Sequence, residues 1–221
     1  RTQSQMEKTA EEIRKRGSKA LIVPCDVLNA DDRAALVQKT IQEFGRLDIL
    51  VNNAGGSGPK PALHTTDEDF DASFHFNTTT AFALSRLCAP HMAKTAGKGA
   101  IVNISSVAGR FPQPGFVSYG VAKAAQDFMT KSLAQDFAPK VRVNGIAVGS
   151  TLTDSLAGVM NDELEQLMVS KTPLGRLGQP EDIAACALFL ASNAADYVTG
   201  EIYGVNGGLT GTPMEMPRAE L

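Results

Sequence analysis

Apolar runs of strand length alternate along this chain with longer segments whose apolar positions recur every three to four residues. The longer segments predict helices over roughly 3–16, 30–44, 67–93, 117–138, 154–170 and 180–191. Between them fall short runs, apolar throughout, at 20–23, 49–51, 100–104, 141–146 and 202–205. Strands covered by helices on both faces read this way, because neither face meets water. The alternation predicts an α/β fold, a doubly wound, Rossmann-like parallel sheet in a single domain over 1–221. No repeat, low-complexity tract or linker interrupts it.

Open parallel sheets bind ligands beyond the carboxyl ends of their strands, where loops diverge and helix N-termini point amides inward. Four successive strand ends here carry small or polar residues that let a ligand approach the backbone. They are Cys25-Asp26-Val27, Asn52-Asn53-Ala54-Gly55-Gly56, Ser105-Ser106 and Val148-Gly149-Ser150-Thr151. The helix over 67–93 adds a further clue, since its apolar stripe runs Phe70, Phe74, Asn77, Ala81, Leu84, Cys88. A buried amide must find hydrogen-bond partners. Asn77 is therefore either a structural bridge or part of a site.

Tyr119 and Lys123 stand four residues apart at the start of a predicted helix, so one lies above the other on a single face. An ammonium so placed favours the ionised phenol, whose unperturbed pKa is about 10. Ser106 ends a strand, and the segment 107–117 that leads on to Tyr119 contains two prolines and two glycines. Such a loop can bring hydroxyl and phenol together. The hydroxyl could then hold a carbonyl oxygen while the phenol delivers a proton to it. Hydrolytic chemistry fits less well, because no G-x-S-x-G elbow occurs and His64, His75 and His91 stand in no spacing relation to a serine. Asp67, Glu68 and Asp69 follow Thr66 and suit a helix N-terminus. No metal-ligand spacing is present.

Composition narrows the partners. The 221 residues are 43% hydrophobic and 20% charged with a net charge of -3, both signs interspersed. No basic stripe marks a nucleic-acid or membrane surface, which leaves a small molecule or another protein. Cys25, Cys88 and Cys186 are odd in number and set in apolar surroundings, as expected of free thiols in a reducing compartment. The longest apolar run, 183–191, is too short to span a bilayer and no signal peptide is recognisable, so the expected location is cytoplasmic.

Taken together, Asn52-Asn53-Ala54-Gly55, Asn77, Ser106, Tyr119-x-x-x-Lys123 and Arg142-Val143-Asn144 with Gly149 resemble, in order and spacing, the motifs of the short-chain dehydrogenase/reductase family. The resemblance covers nearly the whole chain. It implies a catalytic set of Asn77, Ser106, Tyr119 and Lys123: a Tyr acid/base, a Lys that tunes it and binds the nicotinamide ribose, a Ser that positions substrate oxygen, and an Asn that supports a proton relay. It also implies cofactor contacts at Asp26 and Val27 for adenine, Asn53 and Gly55 for ribose and backbone, and Thr151 and Thr153 for the carboxamide. The activity implied is hydride transfer between a nicotinamide cofactor and a secondary alcohol or ketone. The segments 55–61 and 172–182 look like those of bacterial hydroxysteroid dehydrogenases, with 3-oxoacyl-carrier-protein reductases the nearest alternative.

The family's opening strand and T-G-x-x-x-G-x-G turn do not occur here. Against family length, roughly forty residues are missing before Arg1, and the expectation is an omitted N-terminal β-α-β segment. Arg1 would then follow the second strand, where an Arg can accept a 2'-phosphate, which favours NADP(H) over NAD(H). A cofactor-deficient scaffold that keeps the fold is the rival reading. Val148 stands where the family usually has Pro, so a looser loop is expected there. The apolar, Met-containing face of 154–170 suits a lid over a hydrophobic substrate or packing on the core. By resemblance, helices 67–93 and 117–138 pair between subunits through Leu84, Leu87, Phe128 and Leu133, giving homodimers or homotetramers.

Overall fold

The computed structural model describes residues 3–213. Side-chain caps set many of the helix boundaries. Helix α1 (Gln3–Lys15) precedes α2 (Ala30–Phe44), whose N-terminal amides of Asp31 and Asp32 are accepted by Asn29 at 2.8 and 3.1 Å. Helix α3 (Asp67–Phe74) opens on a reciprocal Thr66–Asp69 capping box. It passes through a π-helical turn at His75–Thr79 into α4 (Thr80–His91) and a second π turn at Met92–Ala96. Helix α5 (Val117–Phe137) follows a short 3-10 turn. The helix expected over 154–170 is instead two, α6 (Asp154–Ala157) and α7 (Asp162–Ser170). Asn161 caps α7 by accepting the Leu164 N–H at 2.8 Å, which starts a new helix and breaks the old one. Helix α8 (Pro180–Ala191) begins with Pro in its first turn.

Four parallel strands form one sheet in the order β1 (Ile49–Asn52), β2 (Gly99–Ser106), β3 (Val141–Val148), β4 (Ile202–Val205). Alternate residues face opposite ways. Ile101 and Val143 pack with Val37, Leu84, Cys88, Met92 and Leu133 beneath α2, α4 and α5. Val102 and Ile146 pack with Leu190 of α8 on the other face. The three layers are those of a doubly wound α/β domain.

The segment 20–23 forms no strand. A strand exists by pairing, and among the described residues none lies beside this segment. On β1, Ile49 and Val51 are each 46% exposed, whereas α8 packs against β2, β3 and β4. Val148, where the family usually has Pro, closes β3 in register with Ser106 and Val205. Of the four residues expected between subunits, Leu84 and Leu133 are buried, Leu87 packs against the core, and only Phe128 is freely exposed, at 73%. No helix among the described residues is long and apolar enough to cross a membrane.

The Arg142-Val143-Asn144 motif fastens the sheet to the loop after α8. Arg142 donates to the carbonyls of Leu190 at 2.9 Å and Ser192 at 3.1 Å. Asn144, almost fully buried, donates to Val198 O at 2.9 Å and accepts from Glu201 N–H at 3.1 Å. Asn144→Ala removes both bonds; the Val198 carbonyl keeps its bond from Arg142 at 3.3 Å, while the Glu201 N–H loses its side-chain acceptor. It should lower the unfolding free energy by about 1–3 kcal/mol, read as a reduced urea midpoint at constant slope.

Candidate active site

Ser106 meets Tyr119 because the turn after β2 lies directly on α5. A Cβ at Gly109 would fall 2.8 Å from the backbone N of Ala124, so only a glycine permits this approach. The turn is tightened by Ser106 Oγ accepting the Ala108 N–H at 3.1 Å. Tyr119, in the first turn of α5, has its ring edge-on to Phe116 at 6.2 Å. One turn further, Lys123 places Nζ 5.8 Å from the Tyr119 ring centroid. The ammonium is held by two protein acceptors: it donates to Ile104 O at 2.9 Å and to Gln126 Oε1 at 3.0 Å, and the residue is 3% exposed.

Burial governs the electrostatics here. It pushes the Tyr119 phenol up, opposed by the hydrogen bond with Ser106, so the lowered phenol expected from sequence is not found. It also pushes the Lys123 ammonium down to about 8, opposed by the carboxylate of Asp127. At neutral pH the pair is a protonated phenol beside an ammonium, with the two protonation equilibria driven apart so that the lysine loses its proton before the phenol.

Asn77 is wholly buried in the π-helical turn that follows α3. Its Nδ2 donates to Ser73 O at 2.9 Å and Gly56 O at 3.1 Å, and its Oδ1 accepts the Gly56 N–H at 2.8 Å. The side chain thus clamps the loop after β1. Thr78 beside it donates to Ala122 O at 2.7 Å, which locks this turn against α5 next to Lys123. A Cβ at Gly55 would stand 2.8 Å from Asn77 Oδ1 and 3.1 Å from Lys123 Nζ. Gly55, Asn77 and Lys123 therefore converge on one point, and Ser106 and Tyr119 stand beside it.

The remaining sequence-predicted residues divide. Thr151 is buried and lines, with Ser106 and Tyr119, a cavity of about 180 Å³. Thr153 is exposed and caps α6 by accepting the Leu156 N–H at 3.3 Å. Asn53 is exposed in the loop after β1. Asp26 accepts the Leu28 N–H at 3.0 Å, and Val27 O accepts from Arg33, so both serve the turn into α2. Arg1 lies outside the described residues.

Sequence reasoning missed the support behind Lys123. Asn52 Nδ2 donates to Asn103 Oδ1 at 2.8 Å, Asn103 donates to Thr130 Oγ1 at 2.8 Å, and Thr130 donates to the Gln126 carbonyl at 2.8 Å. The signal was available in part: Asn103 interrupts an otherwise apolar strand as Asn77 interrupts a helix.

Comparison with known proteins places the chain in a family. A family model described as Enoyl-(Acyl carrier protein) reductase matches residues 1–210. The chain is 44% identical to an uncharacterized oxidoreductase of Mycobacterium tuberculosis (strain CDC 1551 / Oshkosh), over 100% of this chain and 84% of the relative. It is 44% identical to the 7alpha-hydroxysteroid dehydrogenase of Escherichia coli (strain K12), over 90% of this chain and 77% of the relative. A solved 7 alpha-hydroxysteroid dehydrogenase, complexed with NADH and 7-oxo glycochenodeoxycholic acid, superposes with a TM-score of 0.89 at 41% identity, covering 95% of this chain and 81% of that one. None of these matches supports a non-catalytic scaffold. The chain, an α/β oxidoreductase by fold and by relatives, belongs to the short-chain dehydrogenase/reductase family.

Proposed function

We propose that the chain transfers hydride between NADP(H) and a hydrophobic secondary alcohol or ketone, steroid-like or acyl-chain-like, with Tyr119 as the proton-transferring group. The observation that carries this reading is the convergence of the Ser106 hydroxyl, the Tyr119 phenol and the Lys123 ammonium beside the bare backbone of Gly55. That donor set fits a nicotinamide dinucleotide, with Lys123, Asn53, Gly55 and Thr151 holding it, joined by Asp26, Val27, Arg1 and Thr153 on the family pattern. The cofactor supplies or accepts the hydride.

The chain's own residues handle the proton. Ser106 Oγ donates to the substrate oxygen and orients it toward Tyr119. In ketone reduction the Tyr119 Oη proton passes to the oxygen as hydride reaches the carbon; in alcohol oxidation the proton returns to Oη. Lys123 stabilises the phenolate that reduction leaves behind. Asn77 keeps the loop after β1 against this site. Val107, Phe111, Phe116, Leu156 and Met168 wall the cavity, so apolar substrate surface is favoured and water disfavoured. Leu156 and Met168 come from α6 and α7, which supports the segment 154–170 as a lid within the single domain.

A steroid is favoured by the 7alpha-hydroxysteroid dehydrogenase relatives, and an acyl chain by the description of the family model. NADP(H) rests on Arg1; the relative complexed with NADH supports NAD(H) as the second reading. We also propose a cytoplasmic homodimer or homotetramer, supported by exposed Phe82, Val121 and Phe128 on α4 and α5.

Titration with NADPH and NADH should show tighter NADPH binding that Arg1→Ala reduces; equal or tighter NADH binding would overturn the preference. Tyr119→Phe should lower kcat by about a thousandfold or more while the cofactor dissociation constant changes little. Ketone reduction by the native chain should be flat below neutral pH and decline as pH rises through about 8, where the Lys123 ammonium is lost. Gly55→Ala should abolish turnover, because its Cβ cannot coexist with Asn77 Oδ1 at 2.8 Å. A Gly55→Ala enzyme with native kcat/KM would sink the proposed position of the site.

A further inference from the structure

We infer that Gln126 is a positioning residue that tethers the Lys123 ammonium through its side-chain carbonyl and thereby keeps the lysine charged and aimed at the Gly55 side of the site. The inference rests on the proposed dehydrogenase reading for its catalytic meaning, though not for its geometry.

Gln126 follows Lys123 by three residues on α5, so the two side chains share a face. It is 0% exposed, and its Oε1 accepts from Lys123 Nζ at 3.0 Å. Lysine can only donate, which fixes the carbonyl end of the amide as the end that faces it. The ammonium has three N–H groups. Ile104 O takes one at 2.9 Å and Gln126 Oε1 takes a second. The third remains for the direction of Gly55, whose missing Cβ would lie 3.1 Å from Nζ.

The other end of the amide argues that this contact is the reason for a glutamine here. Gln126 Nε2 is buried with no hydrogen-bond partner. An unpaired buried donor is destabilising, so a purely structural position would be better filled by an apolar side chain of the same length. Few other groups could take over the tether. The charged group acting on Lys123 is Asp127, also on α5, at a distance that gives attraction without a hydrogen bond and itself shared with Arg110 and Lys131. From β2, Ser105 donates to the Lys123 backbone carbonyl rather than accepting from Nζ. From the turn after α3, Asn77 is committed to Gly56. Tyr119 presents its ring to the ammonium.

The test uses the full chain with Gln126→Met and Gln126→Glu, reading the Lys123 ammonium directly by carbon NMR titration of the lysine Cε resonance, assigned with Lys123→Met. Gln126→Met removes the acceptor at nearly constant length and should move the titration midpoint down by about one pH unit. Gln126→Glu supplies an anion and should move the midpoint up. The alkaline limb of kcat/KM for ketone reduction should follow in the same two opposite directions. Midpoints unmoved in both variants, or moved the same way in both, would overturn the tether, as would a lowered melting temperature with no change in midpoint. Opposite NMR shifts in a chain that turns over no ketone would uphold the tether and instead overturn the dehydrogenase reading.

Discussion

A lysine ammonium that is 3% exposed keeps its charge only if the surrounding protein replaces its hydration. In this chain the replacement comes from a strand carbonyl at Ile104, a helix amide at Gln126 and the field of Asp127. Each of these must be held in place by something else. β2 is fixed between β1 and β3, and α5 is fixed by apolar contacts of Leu133 and Ala134 beneath the sheet. The polar side chains Asn52, Asn103 and Thr130 cross that same layer and join β1, β2 and α5 through hydrogen bonds. The packing of sheet on helix thus doubles as the scaffold of a buried charge.

Close backbone approach is the second requirement, and glycine meets it at two places. Gly109 lets the turn after β2 touch α5, which sets Ser106 beside Tyr119. Gly55 keeps the space in front of Asn77 and Lys123 clear of side chain. Asn77 then holds the loop after β1 in that position from a π-helical turn, where the widened helix is a recurrent feature of functional sites. A phenol, an ammonium and a hydroxyl, unremarkable singly, are gathered at one place through these approaches.

The apolar walls extend the same logic outward. Leu156 and Met168 reach the cavity from two short helices separated by a capped break, rather than from one continuous helix. On the opposite face, Arg142 and Asn144 hold the loop after α8 to β3, so the carboxyl ends of β3 and β4 meet the site in a fixed register.

By itself the sequence determined the layer architecture, since apolar periodicity is set by which face each residue must bury. It also determined α2 and α8, whose caps are local, and the stacking of Tyr119 and Lys123 one turn apart on α5, whose spacing is short-range. Tertiary structure alone decided what depends on contacts between distant segments. The run 20–23 is apolar enough for a strand yet pairs with none among the described residues, because pairing needs a neighbour and not a propensity. Leu84 and Leu133 belong to the core and not to a subunit face, a distinction that periodicity cannot draw. Asn77 and Gln126 show the same limit for chemistry: a polar residue on a buried face announces that it needs a partner, but which backbone loop or ammonium satisfies it is fixed only when the chain brings 21 residues of separation, or one helical turn, into hydrogen-bond distance.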